Sequence, residues 1–350
     1  MGVPSVPKVR FFAQSEKRPA GVGRQSLELL ERLREEREQV TIIPEMRRRG
    51  FELRLGRRRF GGYLGLLAAQ SIPYRAENGE ITHAADWGIA PYFGDRFDIL
   101  TFYDPFAWQH LDVYQKTPYE ALRISLYIPR ILDARVLVCP TEYVRERIRS
   151  LFHREARVIP CGFNTRDMFP RAVERRVRTA LTVGSDYPRK NLAIILRACA
   201  LAGFRLITVG AWNYPGSERA AKSLAKSLRV KMTDMGYVTD DGLAKLYSSC
   251  VLVTASMDEG FGLTPLEAML CGAPVVASDI PAHRETLGMT AHYFKADDAD
   301  DLAFSLELAD QDTGAELRAI RRSNAARYSW VRMLPKWLDL YRQVWEARET

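Results

Sequence analysis

Residues 258–278, DEGFGLTPLEAMLCGAPVVAS, place two glutamates eight positions apart around a glycine loop and a short helical pattern. Glu259 comes just before the loop, and Glu267 lies inside the pattern that follows it. The preceding VLVTAS is typical of a buried strand, and Thr264 followed by proline indicates the start of a helix. The segment therefore predicts a strand, a loop rich in exposed N–H groups and a helix N-terminus, which together suit a polar ligand.

Glu267 has a structural and a functional interpretation. Thr264 and Glu267 fit the T-x-x-E capping box, in which the glutamate would only stabilise the helix start, by about 1 kcal/mol. Carboxylates also accept paired hydrogen bonds from neighbouring hydroxyls, so two glutamates beside an N–H-rich loop suit a ligand with sugar hydroxyls and phosphate. A nucleotide sugar has that layout.

A second informative segment is TVGSDYPRKNLAIIL, residues 182–196, in which a strand ends and a helix begins near Asn191. Arg189 and Lys190 lie at that helix start. Cations there oppose the helix dipole, so their placement predicts an anion, such as a diphosphate, that completes the site. The alternative is two solvated loop cations before an asparagine cap.

The whole chain, with 350 residues, is long enough for two domains, since single cores rarely grow beyond about 250 to 300 residues. Short β-branched runs alternate with longer amphipathic ones, which is the βα rhythm of doubly wound parallel sheets. We predict an N-terminal domain over residues 1–172, a C-terminal domain over 173–330, and a helix over 331–350 that folds back toward the N-terminal domain.

The net charge of +8 favours a polyanionic partner. Its densest cluster, called the arginine patch below, consists of Arg47, Arg48, Arg49, Arg54, Arg57, Arg58 and Arg59. Aromatic and aliphatic residues interleave with these arginines, which suits a lipid headgroup layer. A solvated loop and a nucleic-acid contact remain as alternatives. Five cysteines without CxxC pairs fit a reducing cytoplasm, where the arginine patch could hold the protein at the inner membrane face.

The segment VGSDYPRKNL together with the E-x7-E pair at Glu259 and Glu267 resembles glycosyltransferase family 4, and AGVGRQSLELL, residues 20–30, is similar to that family's first glycine loop and helix. The resemblance implies an α/β architecture of the GT-B type, with two Rossmann-like doubly wound domains facing a central cleft. It also implies a retaining, metal-independent transfer of a hexosyl group from a UDP- or GDP-linked sugar, with no cofactor, to a hydroxyl of a glycan, glycolipid or other acceptor. Residues 45–80 have no match in that pattern.

The resemblance also implies roles for individual residues. Glu267 would bind the ribose hydroxyls of the nucleotide, and Glu259 would hold hydroxyls of the donor sugar near the reacting carbon. Lys190 with Arg189 would neutralise the leaving diphosphate.

The resemblance implies further contacts with the donor. The backbone of Phe261, Gly262 and Leu263 would reach sugar hydroxyls and the distal phosphate, and Gly21 would approach that phosphate from the other domain. Val238, after Gly236, is a weaker candidate for contact with the base. Tyr103 stands where relatives often have a histidine near the donor sugar, and it would offer a hydroxyl there or pack as an aromatic.

Other functions are less well supported by the sequence. A glycosidase also needs two carboxylates, but it has no need of cations at a second helix start. The acidic run DDADD, residues 297–301, is better placed to open a helix than to bind metal, and the histidines show no metal-ligand spacing. The remaining alternative is a non-catalytic GT-B-like protein that binds nucleic acid or anionic membrane through the arginine patch.

Overall fold

The computed structural model describes residues 8–13, 21–35, 40–44, 53–55, 58–60, 79–89, 94–109, 118–165, 168–184, 188–212 and 216–349. The chain divides into two units. The N-terminal unit comprises Met1–Gly162 and Trp330–Thr350, and the C-terminal unit comprises Phe163–Ser329. Residues 163–172, which the sequence assigned to the first domain, thus fall in the second unit.

The N-terminal unit is built on a parallel sheet whose strand order, among the described residues, is β2-β1-β5-β6-β7-β8. Its strands are β1 (Lys8–Ala13), β2 (Val40–Pro44), β5 (Glu80–Ala84), β6 (Ile99–Thr101), β7 (Val136–Cys139) and β8 (Ala156–Val158), and a separate antiparallel pair is formed by β3 (Leu53–Leu55) and β4 (Arg58–Phe60). The helices in its described residues are α1 (Val22–Glu35), α2 (Phe106–Gln109), α3 (Pro118–Ser125), α4 (Ile128–Asp133) and α5 (Glu142–Phe152).

The C-terminal unit is built on a second parallel sheet, with the order β11-β10-β9-β12-β13-β14. Its strands are β9 (Thr179–Val183), β10 (Arg205–Val209), β11 (Met232–Asp234), β12 (Val251–Thr254), β13 (Val275–Ser278) and β14 (His292–Phe294). Its helices are α6 (Leu192–Ala202), α7 (Ser217–Ser227), α8 (Asp240–Ser249), α9 (Leu263–Leu270), α10 (Pro281–Leu287), α11 (Ala299–Gln311) and α12 (Ala315–Ala326). The predicted α/β class and βα rhythm are confirmed.

The strand order of the C-terminal unit identifies one crevice as the expected place for a ligand. The chain winds outward from β9 through β10 to β11 in one direction, and it then returns to the other side of β9 with β12. Strands β12 and β13 are buried along their whole length, as expected for parallel strands covered by helices on both faces. In such sheets, ligands bind at the carboxyl ends of the strands where the winding direction reverses, which here lies between β9 and β12.

The chain ends in α13 (Trp330–Glu349), whose apolar stripe is buried in the core of the N-terminal unit. Trp337 stacks on His83 of β5 with ring centroids 5.2 Å apart, and the hydroxyl of Tyr341 lies 2.8 Å from Nδ1 of the same histidine. The other ring nitrogen of His83 lies 2.8 Å from the hydroxyl of Thr101. The predicted helical spacing of apolar residues therefore corresponds to a buried face.

His83 makes the stability of the protein depend on pH. Its complete burial lowers its pKa from 6.5 to about 3, so below pH 6.5 the unfolded chain binds a proton that the folded chain excludes. We expect the free energy of unfolding to fall by about 2 kcal/mol from pH 6.5 to pH 5. Chemical denaturation at the two pH values measures this, and His83→Asn should reduce the difference. An unchanged difference in that variant would assign the pH dependence to other groups.

Candidate functional site

Two loops meet at the point where the C-terminal sheet reverses its winding direction. The chain after β9 leads to a helical turn at Pro188–Lys190, and the chain after β12 carries residues 255–262. Because the carboxyl ends of β9 and β12 lie at the same edge, these loops are neighbours. The backbone N–H of Met257 donates to the carbonyl of Arg189 at 2.8 Å. The fold thus brings together the two segments that the sequence singled out.

Glu259 is the centre of this site and is only 7% exposed. Its Oε1 accepts from Lys190 Nζ at 2.5 Å and from Ser256 Oγ at 2.7 Å, and it lies 3.1 Å from Nη1 of Arg189. Burial alone would raise the pKa of Glu259, but Arg189 and Lys190 outweigh it and hold the pKa well below the usual range. Glu259 is therefore a carboxylate. Among the described residues no donor bonds its Oε2, which can accept from a ligand.

The cations at this site are not solvated loop residues. The side chains of Arg189 and Lys190 are 20% and 19% exposed, and both pair with Glu259. Asn191 does not cap the following helix either, because it has a left-handed backbone and its Nδ2 donates to the carbonyl of Ala296 at 3.2 Å. The alternative of solvated cations before an asparagine cap is wrong, because both cations are paired and the side chain of Asn191 makes no capping bond.

The glycine loop leads directly into α9, which begins at Leu263. Gly262 is the residue before the helix, with φ of +83° and no side-chain cap. Thr264 therefore lies within the first turn, so the capping-box interpretation is wrong. Glu267 is 8% exposed and its Oε2 accepts from the hydroxyl of Tyr247 at 3.3 Å. Gly260 and Gly262 have no side chains that would block access to the N–H groups at this helix start.

The ring of Phe261 fixes the backbone of this loop. Phe261 is 5% exposed, and its ring lies 5.2 Å from that of Tyr328 and 6.3 Å from that of Phe163, measured between centroids. Its side chain is thus held in the core of the C-terminal unit. The side chain of Phe261 is therefore not available to a ligand, and the backbone contacts predicted for Phe261, Gly262 and Leu263 stay predictions.

His283 is a site residue that the sequence reasoning missed. It lies in α10, is completely buried, and packs so closely on Gly262 that a Cβ there would lie 3.3 Å from its Cδ2. Its Nδ1 donates to the carbonyl of Ser278 at 2.9 Å, which leaves Nε2 as an acceptor with no partner among the described residues. Burial lowers its pKa although Glu259 opposes this, so the ring is neutral. His283 could have been found from its position just after β13, at the same carboxyl edge as Glu259.

The remaining predicted residues lie farther along the chain. Val238 follows β11, at the same carboxyl edge of the C-terminal sheet. Gly21 and Tyr103 belong to the N-terminal unit. The carbonyl of Gly21 accepts from the N–H of Gln25 at 3.1 Å. Burial raises the pKa of Tyr103, whose hydroxyl is hydrogen-bonded to Ser26 of α1. The roles predicted for these three residues stay predictions.

Two acids at the carboxyl edge of the N-terminal sheet were also missed. Asp86 follows β5 and Asp104 follows β6. Burial and the nearby charge of Asp104 raise the pKa of Asp86 to about 7, although the N–H of Gly88, which donates to it at 2.7 Å, opposes the shift. A carboxyl group that titrates near neutral pH is suited to binding a hydroxyl group.

Other sequence expectations concern metal and membrane binding. Asp298 caps α11 by accepting from the N–H groups of Asp300 and Asp301, which confirms that the acidic run opens a helix. Within the described ranges there is no cluster of acids, histidines or cysteines that could hold a metal ion, and no helix there is long and apolar enough to cross a bilayer. Of the arginine patch, Arg47, Arg48, Arg49 and Arg57 lie outside the described residues. Arg54, Arg58 and Arg59 lie in β3 and β4, where only the backbone is described.

Comparison with known proteins adds independent evidence. The family described as Glycosyl transferases group 1 matches residues 177–309. The serotype-specific mannosyltransferase WbdA of Escherichia coli is 33% identical over 43% of this chain, but the match spans only 20% of that protein. The O-antigen chain mannosyltransferase B of Escherichia coli is 24% identical over 96% of this chain and 99% of its own length.

The fold has close structural neighbours. The structure of sucrose-phosphate synthase from Thermosynechococcus elongatus superimposes with a TM-score of 0.80 and 20% identity, and the match covers 97% of this chain and 100% of that one. At this level of identity the match concerns the fold alone. This structural match confirms the predicted GT-B fold.

Proposed function

We propose, from the premise that the chain is a glycosyltransferase family 4-like protein, that it transfers a mannosyl group from a nucleotide-diphosphate sugar to an acceptor hydroxyl. The hexosyl class comes from the resemblance in its motifs. The choice of mannose rests on the printed names of the relatives WbdA and O-antigen chain mannosyltransferase B. The donor is UDP- or GDP-linked, and the acceptor hydroxyl belongs to a glycan, a glycolipid or another molecule.

The buried ion-pair cluster of Glu259, Lys190 and Arg189 is the observation that carries this proposal. It lies at the ligand-binding edge of the C-terminal sheet, beside a helix start whose preceding residue, Gly262, has no side chain that could cap it. Oε2 of Glu259 would accept from a hydroxyl of the donor sugar, while Glu267 on α9 would accept from the ribose. Nε2 of His283 adds a neutral acceptor next to the glycine loop.

The cations would act on the leaving group. Breaking the bond between the anomeric carbon and the phosphate oxygen builds negative charge on the diphosphate, so groups that are aimed at the phosphate stabilise the transition state more than the ground state. Lys190 and Arg189 would share their positive charge between Glu259 and the departing diphosphate. Their fixed pairing with Glu259 keeps them in place before the donor binds.

We further propose a front-face substitution, which retains the configuration at the anomeric carbon and needs no metal ion. The bond from the anomeric carbon to the phosphate oxygen breaks, and a bond to the acceptor oxygen forms on the same face of the sugar. The acceptor proton moves to the leaving phosphate oxygen. No protein nucleophile takes part, and Lys190 with Arg189 supplies the charge that a divalent cation would otherwise provide.

Retention and metal independence can be tested together. We expect the wild-type protein, with GDP-mannose or UDP-linked hexoses and simple mannosides as acceptors, to release nucleoside diphosphate in the presence of EDTA. The anomeric proton of the product, followed by NMR, should show the configuration of the donor. An inverted product, or a rate that EDTA abolishes and Mg²⁺ restores, would contradict this mechanism.

Membrane contact through the arginine patch remains a proposal in addition to catalysis. A lipid-linked acceptor would place the reaction at a membrane surface, where several arginines are attracted to anionic headgroups. A non-catalytic role of the arginine patch would instead require that the protein binds membrane or nucleic acid but no nucleotide sugar.

A further inference from the structure

A basic cleft lies at the amino ends of strands β9, β10 and β11 of the C-terminal sheet. Its volume is about 470 Å³. It is lined by Arg175, Arg176, Val177, Thr179, Arg205, Ile207, Lys231 and Thr233. These ends are opposite to the carboxyl ends that carry Glu259, and five residues of β10 span about 16 Å. The basic cleft is therefore a separate place on the C-terminal unit.

The sheet register forces two of these cations together. Arg205 is the partner of Thr179 across β9 and β10, and Leu206 is the partner of Met232 across β10 and β11. Lys231 therefore lies beside Arg205. Since side chains alternate between the faces of a sheet, Thr179, Arg205 and Lys231 form one row on one face. Like charges in such a row repel each other.

Among the described residues, only one of the four cations that line the basic cleft has a carboxylate partner. Arg175 pairs with Asp310 at 2.7 Å. Over the described parts of the chain, however, no carboxylate pairs with the side chains of Arg176, Arg205 or Lys231. An isolated surface cation is ordinary, but three of them around one concave space create a positive potential that attracts an anion.

We propose that the basic cleft is a binding site for a phosphate-bearing anion, distinct from the donor site. The guanidinium groups of Arg176 and Arg205 can donate paired hydrogen bonds to phosphate oxygens, and Lys231 adds a compact charge. The hydroxyl of Thr233 lines the same space and can donate to the anion. A free phosphate and a phospholipid headgroup share this chemistry.

Inorganic phosphate is the first probe. We expect calorimetric titration at low ionic strength to detect binding to the full-length protein, and the double variant Arg205→Gln/Lys231→Gln to weaken it at least tenfold. The matched control is Arg219→Gln/Lys226→Gln, which removes two exposed cations of α7 that do not line the basic cleft. The control should bind as the wild type does. Thermal unfolding without phosphate should show that both variants fold, since each exchanges only exposed side chains.

Vesicles distinguish the two sources of the anion. If phosphatidylglycerol vesicles capture the wild type and the control but not Arg205→Gln/Lys231→Gln, and phosphatidylcholine vesicles capture none, the source is a lipid headgroup. If phosphate binding depends on the basic cleft and no vesicle captures the protein, the source is a free anion. Equal behaviour of the cleft variant and the control toward phosphate and toward vesicles would overturn the proposal.

Discussion

Replacing Lys190 with methionine is expected to lower the transfer rate by about 10²- to 10³-fold and to destabilise the fold by about 2 kcal/mol or more. The variant keeps an unbranched apolar side chain but removes the ammonium group that lies 2.5 Å from Oε1 of Glu259. The rate falls because the leaving diphosphate loses a cation. The stability falls because the buried carboxylate of Glu259 keeps only Arg189 as a charged partner within the described part of the chain. Steady-state kinetics and chemical denaturation measure the two effects.

The double variant Lys190→Met/Glu259→Gln separates these two effects. It removes the uncompensated charge together with the lysine, so most of the lost stability should return. The transfer rate should stay low, because neither the cation nor the carboxylate is restored. A double variant that recovers its rate would show that Lys190 only balances the charge of Glu259.

An exposed pair provides the matched control. Lys222 and Glu218 on α7 also lie 2.5 Å apart, but their side chains are 55% and 49% exposed. Lys222→Met should leave both the rate and the stability nearly unchanged, because water screens exposed pairs. If Lys222→Met and Lys190→Met lowered the rate and the stability equally, the burial of Lys190 would not explain the losses.

Replacing Gly262 with alanine is expected to destabilise the C-terminal unit by about 2 kcal/mol or more and to weaken nucleotide binding at least tenfold. A left-handed backbone costs an alanine about 1 kcal/mol. In addition, the new Cβ would lie 3.3 Å from Cδ2 of His283 and 3.5 Å from Cγ of Pro265. Relief of this crowding has to move the loop whose N–H groups would bind the donor.

Gly216 allows the strain and the crowding to be separated. It also precedes a helix with a positive φ, +80°, but a Cβ there would meet no atom within 4 Å. Gly216→Ala should therefore show the backbone cost alone and bind nucleotide as the wild type does. Denaturation curves and nucleotide titrations of the two variants give the comparison. If both variants lost the same stability and the same nucleotide affinity, crowding against His283 would not be the cause.

The sequence predicted the strands and helices that build the C-terminal unit because their patterns are long and apolar. Strand β12 lies where VLVTAS indicated a buried strand, and β9 ends and α6 begins within TVGSDYPRKNLAIIL, as that segment indicated. The loop residues 185–187 and residues 45–52 lie outside the described parts of the chain. The position of the site also followed from sequence, since it needs only parallel strands and the loops after them.

Details of the site that depend on three dimensions could not be predicted. The sequence offered Asn191 and Thr264 as helix caps, but Asn191, which directly precedes α6, makes no capping bond, and α9 begins at Leu263, so that Thr264 lies within its first turn. The sequence placed Lys190 opposite a ligand without showing that Glu259 would be its partner. His283 was missed because its closeness to Gly262 arises only when β13 and β12 lie side by side.

Binding of nucleotides to the C-terminal unit tests the central claim most directly. Thermal unfolding of the wild type and of Glu267→Ala should be followed with GDP, UDP, GDP-mannose and UDP-linked sugars, each with EDTA. A ligand at a hundredfold excess over its Kd stabilises the folded state by about 2.7 kcal/mol. The account predicts that one nucleotide raises the melting temperature of the wild type without metal and that Glu267→Ala loses most of this increase. If no nucleotide raises the melting temperature of the folded wild-type protein, the site at Glu259 and Glu267 does not bind a nucleotide-sugar donor.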